Sequence, residues 1–258
     1  MGAGTILRRK PDGSFECTTD EVAIEEPLEI RIGDKPLAIT MRTPGNDPEL
    51  AAGFLLSEGL IRSRADLCDM DQTAANVVEV TITGEVDLSA MTRFGTISSS
   101  CGLCGKASID AVRQQFPPIA SASKVTVEQL LSMPPRLRSA QGNFHRTGGL
   151  HAAALFELTT DRVTLREDVG RHNAVDKVIG RALLDDQLPL SDHALMVSGR
   201  ASLEIIQKAV AAGVPIVASV SAPSSLAVNF ARETGLTLIG FLRPPTFNVY
   251  SHVERIAT

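Results

Sequence analysis

Residues 194–246 read ALMVSGRASLEIIQKAVAAGVPIVASVSAPSSLAVNFARETGLTLIGFLRPPT, and this stretch decides the fold. Its three apolar runs, near 194–198, 215–220 and 236–242, have the length and composition of buried strands. Helical patterns separate the runs, so we expect a parallel sheet covered by helices. Because the carboxyl ends of parallel strands lie at one edge of a sheet, the loops that follow the three runs should meet there.

Upstream of this stretch, the pattern predicts a β-hairpin followed by an amphipathic helix. The hairpin should run from His151 to Leu158 and return from Val163 to Arg166. The helix is indicated by apolar residues spaced at i, i+3, i+4, i+7 and i+8, namely Val175, Val178, Ile179, Ala182 and Leu183. Together with the three strands, these elements predict an α/β domain over residues 146–258.

The N-terminal part has a different period and predicts a smaller α+β domain over residues 1–97. Alternating apolar residues predict a hairpin that turns at Gly33-Asp-Lys35, and Val78, Val80 and Ile82 indicate a further strand. Between them, Asp47-Pro48 should supply the N-cap and first-turn proline of a helix that closes near Gly59.

Residues 98–145 should connect the two domains through a cysteine-containing loop and two helices. A helix is predicted from Lys106 to Phe116, where Pro117-Pro118 must stop it. Thr126 and Gln129 form a capping box for the second helix, which we expect Pro134-Pro135 to interrupt.

Composition and charge favour an ordinary globular protein. The 258 residues are 43% hydrophobic and 21% charged, with a formal net charge of −5. This charge gives no reason to expect a nucleic acid or an anionic membrane as partner. The sequence contains no signal-peptide-like apolar stretch and no run of about 18 apolar residues, so a cytoplasmic location is expected.

The Cys101-Gly-Leu-Cys104 pair is the first candidate for chemistry. It lies on a glycine-rich loop before a predicted helix, whose N-terminus would lower a thiol pKa. Cys101 is the better nucleophile, and Cys104 could be a resolving or assisting thiol. Two alternatives stay open, half of a zinc site or a thioredoxin-like disulfide pair. Cys17 and Cys68 lie far from the pair in sequence and are interpreted as bystanders.

The three loops after the predicted strands form the second candidate site. They read Ser198-Gly-Arg-Ala-Ser202, Ser219-Val-Ser-Ala-Pro-Ser224 and Phe241-Leu-Arg-Pro-Pro-Thr246. Gly, Ser and Arg beside helix N-termini favour phosphate, so a nucleotide is the ligand to expect. The alternative is ordinary connecting loops in which Ser202 and Ser224 cap helices and the arginines are solvated.

A third candidate is the polar segment Glu167-Asp-Val-Gly-Arg-His-Asn-Ala-Val-Asp-Lys177. His172 could carry a proton near neutral pH or donate to a phosphate. The competing interpretation is a capping network that ties Asp168 and Asn173 to the backbone. His151, which follows Gly148-Gly149, is a second-rank site residue because a histidine at the start of a strand is more often structural.

Six segments together resemble the formate dehydrogenase accessory sulfurtransferase family, FdhD. They are SSSCGLCGK (98–106), RTGGLHAAALF (146–156), REDVGRHNAVDKVIG (166–180), SGRASLEIIQKA (198–209) and, near the end, VSAPSSLAV with GFLRPP. The resemblance runs in order from about Glu25 to Ile256, and the EDVGRHNAVDK stretch is far more specific than the cysteine pair.

The resemblance implies a cytoplasmic, dimeric sulfurtransferase. It would take sulfur from a cysteine desulfurase and sulfurate the molybdenum bis(molybdopterin guanine dinucleotide) cofactor of formate dehydrogenase. By the same resemblance, Cys101 holds the persulfide, and the cofactor contacts are Phe241, Leu242, Arg243, Pro244, Pro245 and Thr246. Arg200 and His172 join them as candidates from the loop analysis above. The C-terminal domain would be a three-layer α/β fold resembling cytidine deaminase.

Zinc-deaminase chemistry does not suit this sequence. Such enzymes need H-x-E followed later by P-C-x-x-C, but His151 is followed by Ala152-Ala153, and the cysteine pair precedes every histidine. No catalytic metal is therefore expected. Two classes remain, a sulfur-transferring enzyme and a non-catalytic chaperone for the guanine dinucleotide cofactor, and capture of sulfane sulfur would separate them.

Overall fold

A computed structural model describes residues 2–84 and 116–257. The N-terminal part contains one helix and six strands: β1 (Gly2–Arg9), β2 (Phe15–Val22), β3 (Glu26–Ile32), β4 (Lys35–Arg42), α1 (Asp47–Ser57), β5 (Leu67–Ala74) and β6 (Val77–Ile82). The predicted hairpin is β3–β4, and the strand predicted at Val78–Ile82 is β6. The β1–β2 hairpin and strand β5 were not predicted. A four-stranded sheet has the order β4-β3-β6-β5, with β3 parallel to β6.

The start of α1 differs from the prediction. The N-cap is Asn46 in a left-handed conformation, and Asp47 is the first helical residue. Asp47 is buried and forms an ion pair with the equally buried Arg42, whose Nη2 lies 2.8 Å from Asp47 Oδ2. The Asp47 carboxylate therefore pairs with Arg42 rather than capping the helix, and a capping rule based on neighbouring residues does not predict this ion pair.

The connection continues through β7 (Val125–Thr126), α2 (Val127–Ala140) and α3 (Gly142–Thr147). The Thr126–Gln129 capping box is present, as predicted. The expected interruption at Pro134-Pro135 is wrong, because α2 passes through both prolines. An interior proline costs about 3 kcal/mol, and burial of an apolar face that includes Met133 and Leu137 offsets that cost.

The C-terminal part forms a mixed sheet with helices between its strands. Its elements are β8 (His151–Glu157), β9 (Val163–Asp168), α4 (Arg171–Leu184), β10 (His193–Val197), α5 (Leu203–Ala211), β11 (Ile216–Ser219), α6 (Ser225–Glu233), β12 (Thr237–Arg243), β13 (Thr246–Ser251) and β14 (Ile256–Ala257). The predicted hairpin is β8–β9, and β10, β11 and β12 are parallel, as expected. The strand order is β13-β12-β11-β10-β8-β9, with β8 antiparallel to β10.

Buried side chains on the two faces of this sheet belong to two separate clusters. One cluster joins strand residues such as Leu195 and Val217 to α4, α5 and α6. The other joins Met196 and Ala218 to the apolar face of α2. This alternation places the sheet between two helical layers, so α2 covers one face and α4–α6 cover the other.

Helices α1 and α4 cross at very short range and join the N-terminal and C-terminal parts. A Cβ atom on Gly53 would lie 2.0 Å from the carbonyl oxygen of Asp176, and one on Gly180 would lie 1.8 Å from that of Glu49. Only glycine permits this approach. The buried cluster around the crossing contains residues of both parts, including Leu28 and Val175. The predicted boundary after residue 97 lies outside the described residues, and the one after residue 145 falls inside α3.

Candidate functional site

The loops after β10, β11 and β12 meet at one edge of the sheet, as the sequence predicts. Ser224 N donates to Ala201 O at 3.0 Å, which links the first loop to the second. Phe241 N donates to Ser221 O at 3.1 Å, and Arg243 Nε donates to Val220 O at 2.9 Å, which link the second to the third. Since β8 is antiparallel to β10, its first residue also lies at this edge.

A cleft of about 830 Å³ opens at this edge, between the strand ends and the α2–α3 connection. The sheet side of the cleft comprises His151, Met196, Ser198, Val220 and Pro244. The opposite side comes from α2 and α3 and from the segment leading to β8: Pro134, Pro135, Leu137, Arg138, Gln141, Phe144, Gly148, Gly149 and Leu150. The volume lies within the range of small-molecule sites, and mostly apolar walls with a few polar groups are typical of them.

Two features of the α2–α3 wall suit a flat, polar-edged ligand. The Arg138 guanidinium lies 4.2 Å from the centroid of the Phe144 ring, so the pair presents stacked planar groups at the cleft. Gln141 is only 2% exposed and lines the same cleft. The sequence analysis missed this wall because Pro134-Pro135 was interpreted as a helix break rather than as part of a continuous helix.

His151 lies at the start of β8 and lines the cleft. Burial lowers the pKa of His151, and the neighbouring Arg171 and His172 lower it further. Its imidazole is therefore neutral at pH 7 and can either donate or accept a hydrogen bond. Arg171 Nε is buried without a hydrogen-bond partner among the residues that the structure describes. A hydrogen-bond donor beside the cleft, Arg171 Nε, therefore has no partner among the described residues.

His172, a predicted candidate for a ligand contact, lies beside polar groups of the chain. Its Nε2 lies 3.2 Å from Ser202 Oγ and 3.6 Å from Glu204 Oε2, at the N-terminus of α5. The adjacent His172 ring lowers the pKa of Glu204 to about 2, with hydrogen bonds from Ser202 and the backbone adding to the effect. Ser202 makes no side-chain cap, whereas Ser224 caps α6 as expected. The sequence could not pair His172 with Glu204.

The polar segment before α4 is largely a structural network. Asp168 Oδ1 accepts hydrogen bonds from Gly170 N (2.8 Å) and Asn173 Nδ2 (3.0 Å), and Lys177 Nζ lies 2.7 Å from Asp168 Oδ2. Lys177 also donates to the carbonyl of Thr43. The capping interpretation is therefore confirmed for Asp168 and Asn173, and the network extends to the N-terminal part of the chain.

The predicted cofactor loop divides into residues with different surroundings. Contrary to the prediction, β12 runs through Arg243, with a register shift after Gly240 and Phe241 in a left-handed conformation. The Leu242 side chain is buried in the core, so only its backbone can face a ligand. The other residues of this loop, Phe241 and Arg243 to Thr246, are exposed, as is Arg200 on the loop after β10.

The cysteine pair, Cys101 and Cys104, lies outside the described residues, as does the predicted helix from Lys106. Cys17 and Cys68 are exposed free thiols. Within residues 2–84 and 116–257, no three His, Cys, Asp or Glu side chains are grouped so as to hold a metal ion. No helix in these two ranges is long and apolar enough to cross a membrane.

The fold and the cleft define an α/β protein with a cleft, the candidate site, at the carboxyl edge of a mixed sheet. Residues 23–257 match the FdhD/NarQ family, so the chain belongs to that family. The resemblance found in the sequence is confirmed.

Named relatives cover nearly the whole chain. The chain is 54% identical to a sulfur carrier protein FdhD of Streptomyces coelicolor, over 100% of this chain and 97% of that protein. It is 46% identical to the protein of the same name from Sulfolobus acidocaldarius, over 97% and 96%. A crystal structure assigned as a formate dehydrogenase accessory protein from Desulfotalea psychrophila has a TM-score of 0.81 and 25% identity, covering 99% of this chain and 98% of that one.

Proposed function

We propose that this protein is a sulfur carrier for formate dehydrogenase maturation and that it acts as a sulfurtransferase. It would accept persulfide sulfur from a cysteine desulfurase and deliver it to the molybdenum bis(molybdopterin guanine dinucleotide) cofactor. The name shared by relatives along the whole chain supports the sulfur-carrying role. The cleft at the sheet edge is the observation that carries the cofactor-binding role.

The position and lining of the cleft suit one guanine nucleotide end of the cofactor. Ligands of open α/β sheets bind at the carboxyl ends of strands, where this cleft lies. Pro244, from the proposed cofactor loop, lines it, and the apolar walls can hold a purine ring. We further propose a cytidine deaminase-like arrangement for this half, which the order β9-β8-β10-β11-β12 with β8 antiparallel supports.

In the proposed loading step, the Cys101 thiolate attacks the outer sulfur of the donor's persulfide. A new S–S bond forms at Cys101, the donor's S–S bond breaks, and the donor cysteine leaves as a thiolate. The reaction needs no external oxidant or reductant because it is an exchange between a thiolate and a persulfide. Cys104 would assist or resolve the loaded state.

Intact-mass spectrometry after incubation with a cysteine desulfurase and cysteine tests the loading step. The wild-type chain should gain one sulfur atom that a reductant removes, and Cys101→Ala should gain none. Cys104→Ala should hold the sulfur less stably or pass it on poorly. Cys17→Ala and Cys68→Ala are matched controls because both thiols are exposed, and they should behave as wild type.

Four results would contradict this function. If Cys101→Ala still gains sulfur, Cys101 is not the residue that carries it. A Cys101–Cys104 disulfide without added sulfur would indicate a thiol oxidoreductase, and a chelatable bound metal would indicate a zinc site. Cofactor binding without any sulfur capture would instead indicate a non-catalytic chaperone.

Calorimetry with guanosine diphosphate tests the cofactor site. Arg243→Ala should weaken binding by about 1.5–3 kcal/mol, the scale of a charge-assisted hydrogen bond. Arg232→Ala is the matched control because Arg232 is also exposed and also donates from Nε to a backbone carbonyl, that of Tyr250. Equal binding by both variants would place the nucleotide away from Arg243.

The proposed partners are a cysteine desulfurase, a formate dehydrogenase and a second copy of this chain. A reducing cytoplasm suits a carrier that must present a free thiolate. Light scattering of the purified chain would test the homodimer, and a monomer at all concentrations would contradict it.

A further inference from the structure

Gln141 is a buried polar side chain whose amide has no hydrogen-bond partner within the part of the chain that the structure describes. It lies between α2 and α3, where its backbone is satisfied: its N–H donates to Arg138 O at 3.3 Å and its carbonyl accepts from His145 N at 3.1 Å. Its side-chain amide makes no hydrogen bond with any residue in the ranges 2–84 and 116–257, although the side chain is only 2% exposed. Its amide atoms are not fully enclosed, since Arg171 Nε is the one enclosed side-chain polar atom without a partner in the described ranges. They can therefore be reached from the cleft that Gln141 lines.

Two other glutamines show what a satisfied amide looks like in this protein. Gln207 is also buried and donates from Nε2 to the carbonyl of Ser57 at 3.0 Å. Gln129 donates to Leu158 O at 3.0 Å and accepts from Thr126 N at 3.0 Å. Gln141 differs from both because it lines the cleft, where a ligand can supply the missing partners.

The chemistry of the amide defines the ligand edge that would satisfy it. A glutamine side chain presents an oxygen acceptor and an N–H donor side by side in one plane. The complementary edge is a ring N–H next to a ring carbonyl, a lactam. Apolar side chains of the cleft, including Leu137 and Met196, can contact the faces of a planar ring while the amide pairs with its edge.

We propose that Gln141 is a specificity-determining residue that pairs through its amide with the lactam edge of a bicyclic heterocycle in the cleft. This inference rests on the proposed cofactor-binding function and deepens it. The cofactor contains this edge in each of its two guanines and each of its two pterins, and all four present the same N–H and C=O pair. Two hydrogen bonds form, one from the ring N–H to the Gln141 oxygen and one from the Gln141 N–H to the ring carbonyl.

A ligand–protein double-mutant cycle tests the pairing directly. Binding of guanosine diphosphate and of 1-methylguanosine diphosphate, in which a methyl group replaces the ring N–H, is measured for wild type and Gln141→Leu. Wild type should bind the methylated ligand at least roughly tenfold more weakly, whereas Gln141→Leu should bind both ligands equally. A parallel titration with pterin-6-carboxylate shows whether the cleft takes the guanine or the pterin of the cofactor. Wild type should bind one of the two heterocycles more tightly, and Gln141→Leu should lose that binding.

Gln207→Leu is the matched control, because it removes the other buried glutamine amide far from the cleft. It should lower the unfolding temperature and leave ligand binding unchanged, whereas Gln141→Leu should lower binding and leave the unfolding temperature unchanged or raised. If wild type binds a lactam ligand and Gln141→Leu binds it equally well, the inference is wrong, while the proposed function stands. If wild type binds neither heterocycle, both this inference and the cofactor site fail, and sulfur capture at Cys101 remains a separate measurement.

Discussion

Two regions of this protein contain buried or half-buried polar side chains, and the two regions use them in opposite ways. One, here called the helix-start network, comprises Asp168, His172, Asn173, Lys177, Ser202 and Glu204 at the N-termini of α4 and α5. The other is the cleft, with Gln141 and His151. Every member of the helix-start network contacts another polar group of the chain. In the cleft, Gln141 has no partner within the described ranges.

The comparison shows that a dense polar motif in a sequence need not mark a ligand site. The segment Glu167–Lys177 is densely polar and follows a predicted strand, yet Asp168 and Lys177 serve to join the N-terminal part to α4. The unpartnered amide of Gln141 lies in an inconspicuous stretch of sequence, between two helices. Within the polar segment, Arg171 Nε is buried without a partner among the described residues, and Arg171 is not a member of the helix-start network. Partner count, rather than polarity, therefore distinguishes the helix-start network from the cleft.

The largest expected effect lies in the helix-start network, at Lys177. Asp168 and Lys177 are both fully buried and 2.7 Å apart, so Lys177→Ala leaves a buried carboxylate without its cation. We expect a loss of roughly 3–5 kcal/mol in the free energy of unfolding, measured by urea denaturation. Lys10→Ala removes an exposed ion pair with Glu16 and should cost at most about 1 kcal/mol. Similar losses for the two variants would mean that the network is not structural.

A smaller effect is expected at Glu204, and it depends on pH. The pKa of Glu204 is lowered to about 2 from an ordinary value of 4.5, so its carboxylate stabilises the fold above pH 4.5. That stabilisation is lost as the pH falls from 4.5 through 2. Because Glu204 is partly exposed, we expect Glu204→Gln to cost about 2 kcal/mol at pH 7 rather than the full value of the shift.

Urea denaturation of wild type and Glu204→Gln at pH 7 and at pH 2 measures the Glu204 contribution. The difference between the two proteins should be present at pH 7 and much reduced at pH 2. Glu254→Gln is the exposed control, since Glu254 also contacts a histidine, His252, but at the surface. A difference for Glu204→Gln that does not change with pH would show that the His172 contact does not stabilise the ionised carboxylate.

The smallest expected effect is a change in the NMR resonances of His151 when a ligand enters the cleft, with His172 as the comparison. Burial lowers the pKa of His151, so its imidazole should stay neutral down to a lower pH than a free histidine. In imidazole-detected NMR, guanosine diphosphate should shift the resonances of His151, which lines the cleft, and leave those of His172 unchanged. A response at His172 but not at His151 would move the ligand site to the helix-start network.

Local rules predicted much of the fold. The strand period identified β3, β4, β6 and the three parallel strands, and the capping box located the start of α2. These predictions succeeded because they depend on neighbours a few residues apart. They failed at Asp47, which pairs with Arg42, and at Pro134-Pro135, where burial of α2 outweighs the local preference against proline.

The candidate site was predicted only in part, for the same reason. The meeting of three strand-end loops follows from the parallel sheet, and the structure confirms it. The wall of the cleft that contains Gln141 could not be predicted, because it depends on where α2 and α3 lie against the sheet. Leu242 was predicted as a contact, but its side chain points into the core.

The sequence by itself determined the family, the cysteine pair as the reactive candidate and the alternation of strands and helices. These features depend on residue identity, spacing and local period. The tertiary structure decided which polar side chains have partners: His172 meets Glu204 across two helices, and Gln141 meets none within the described residues. The physical reason is that a hydrogen bond depends on distance in space, and residues 32 positions apart in the chain, such as His172 and Glu204, become neighbours only when the helices pack.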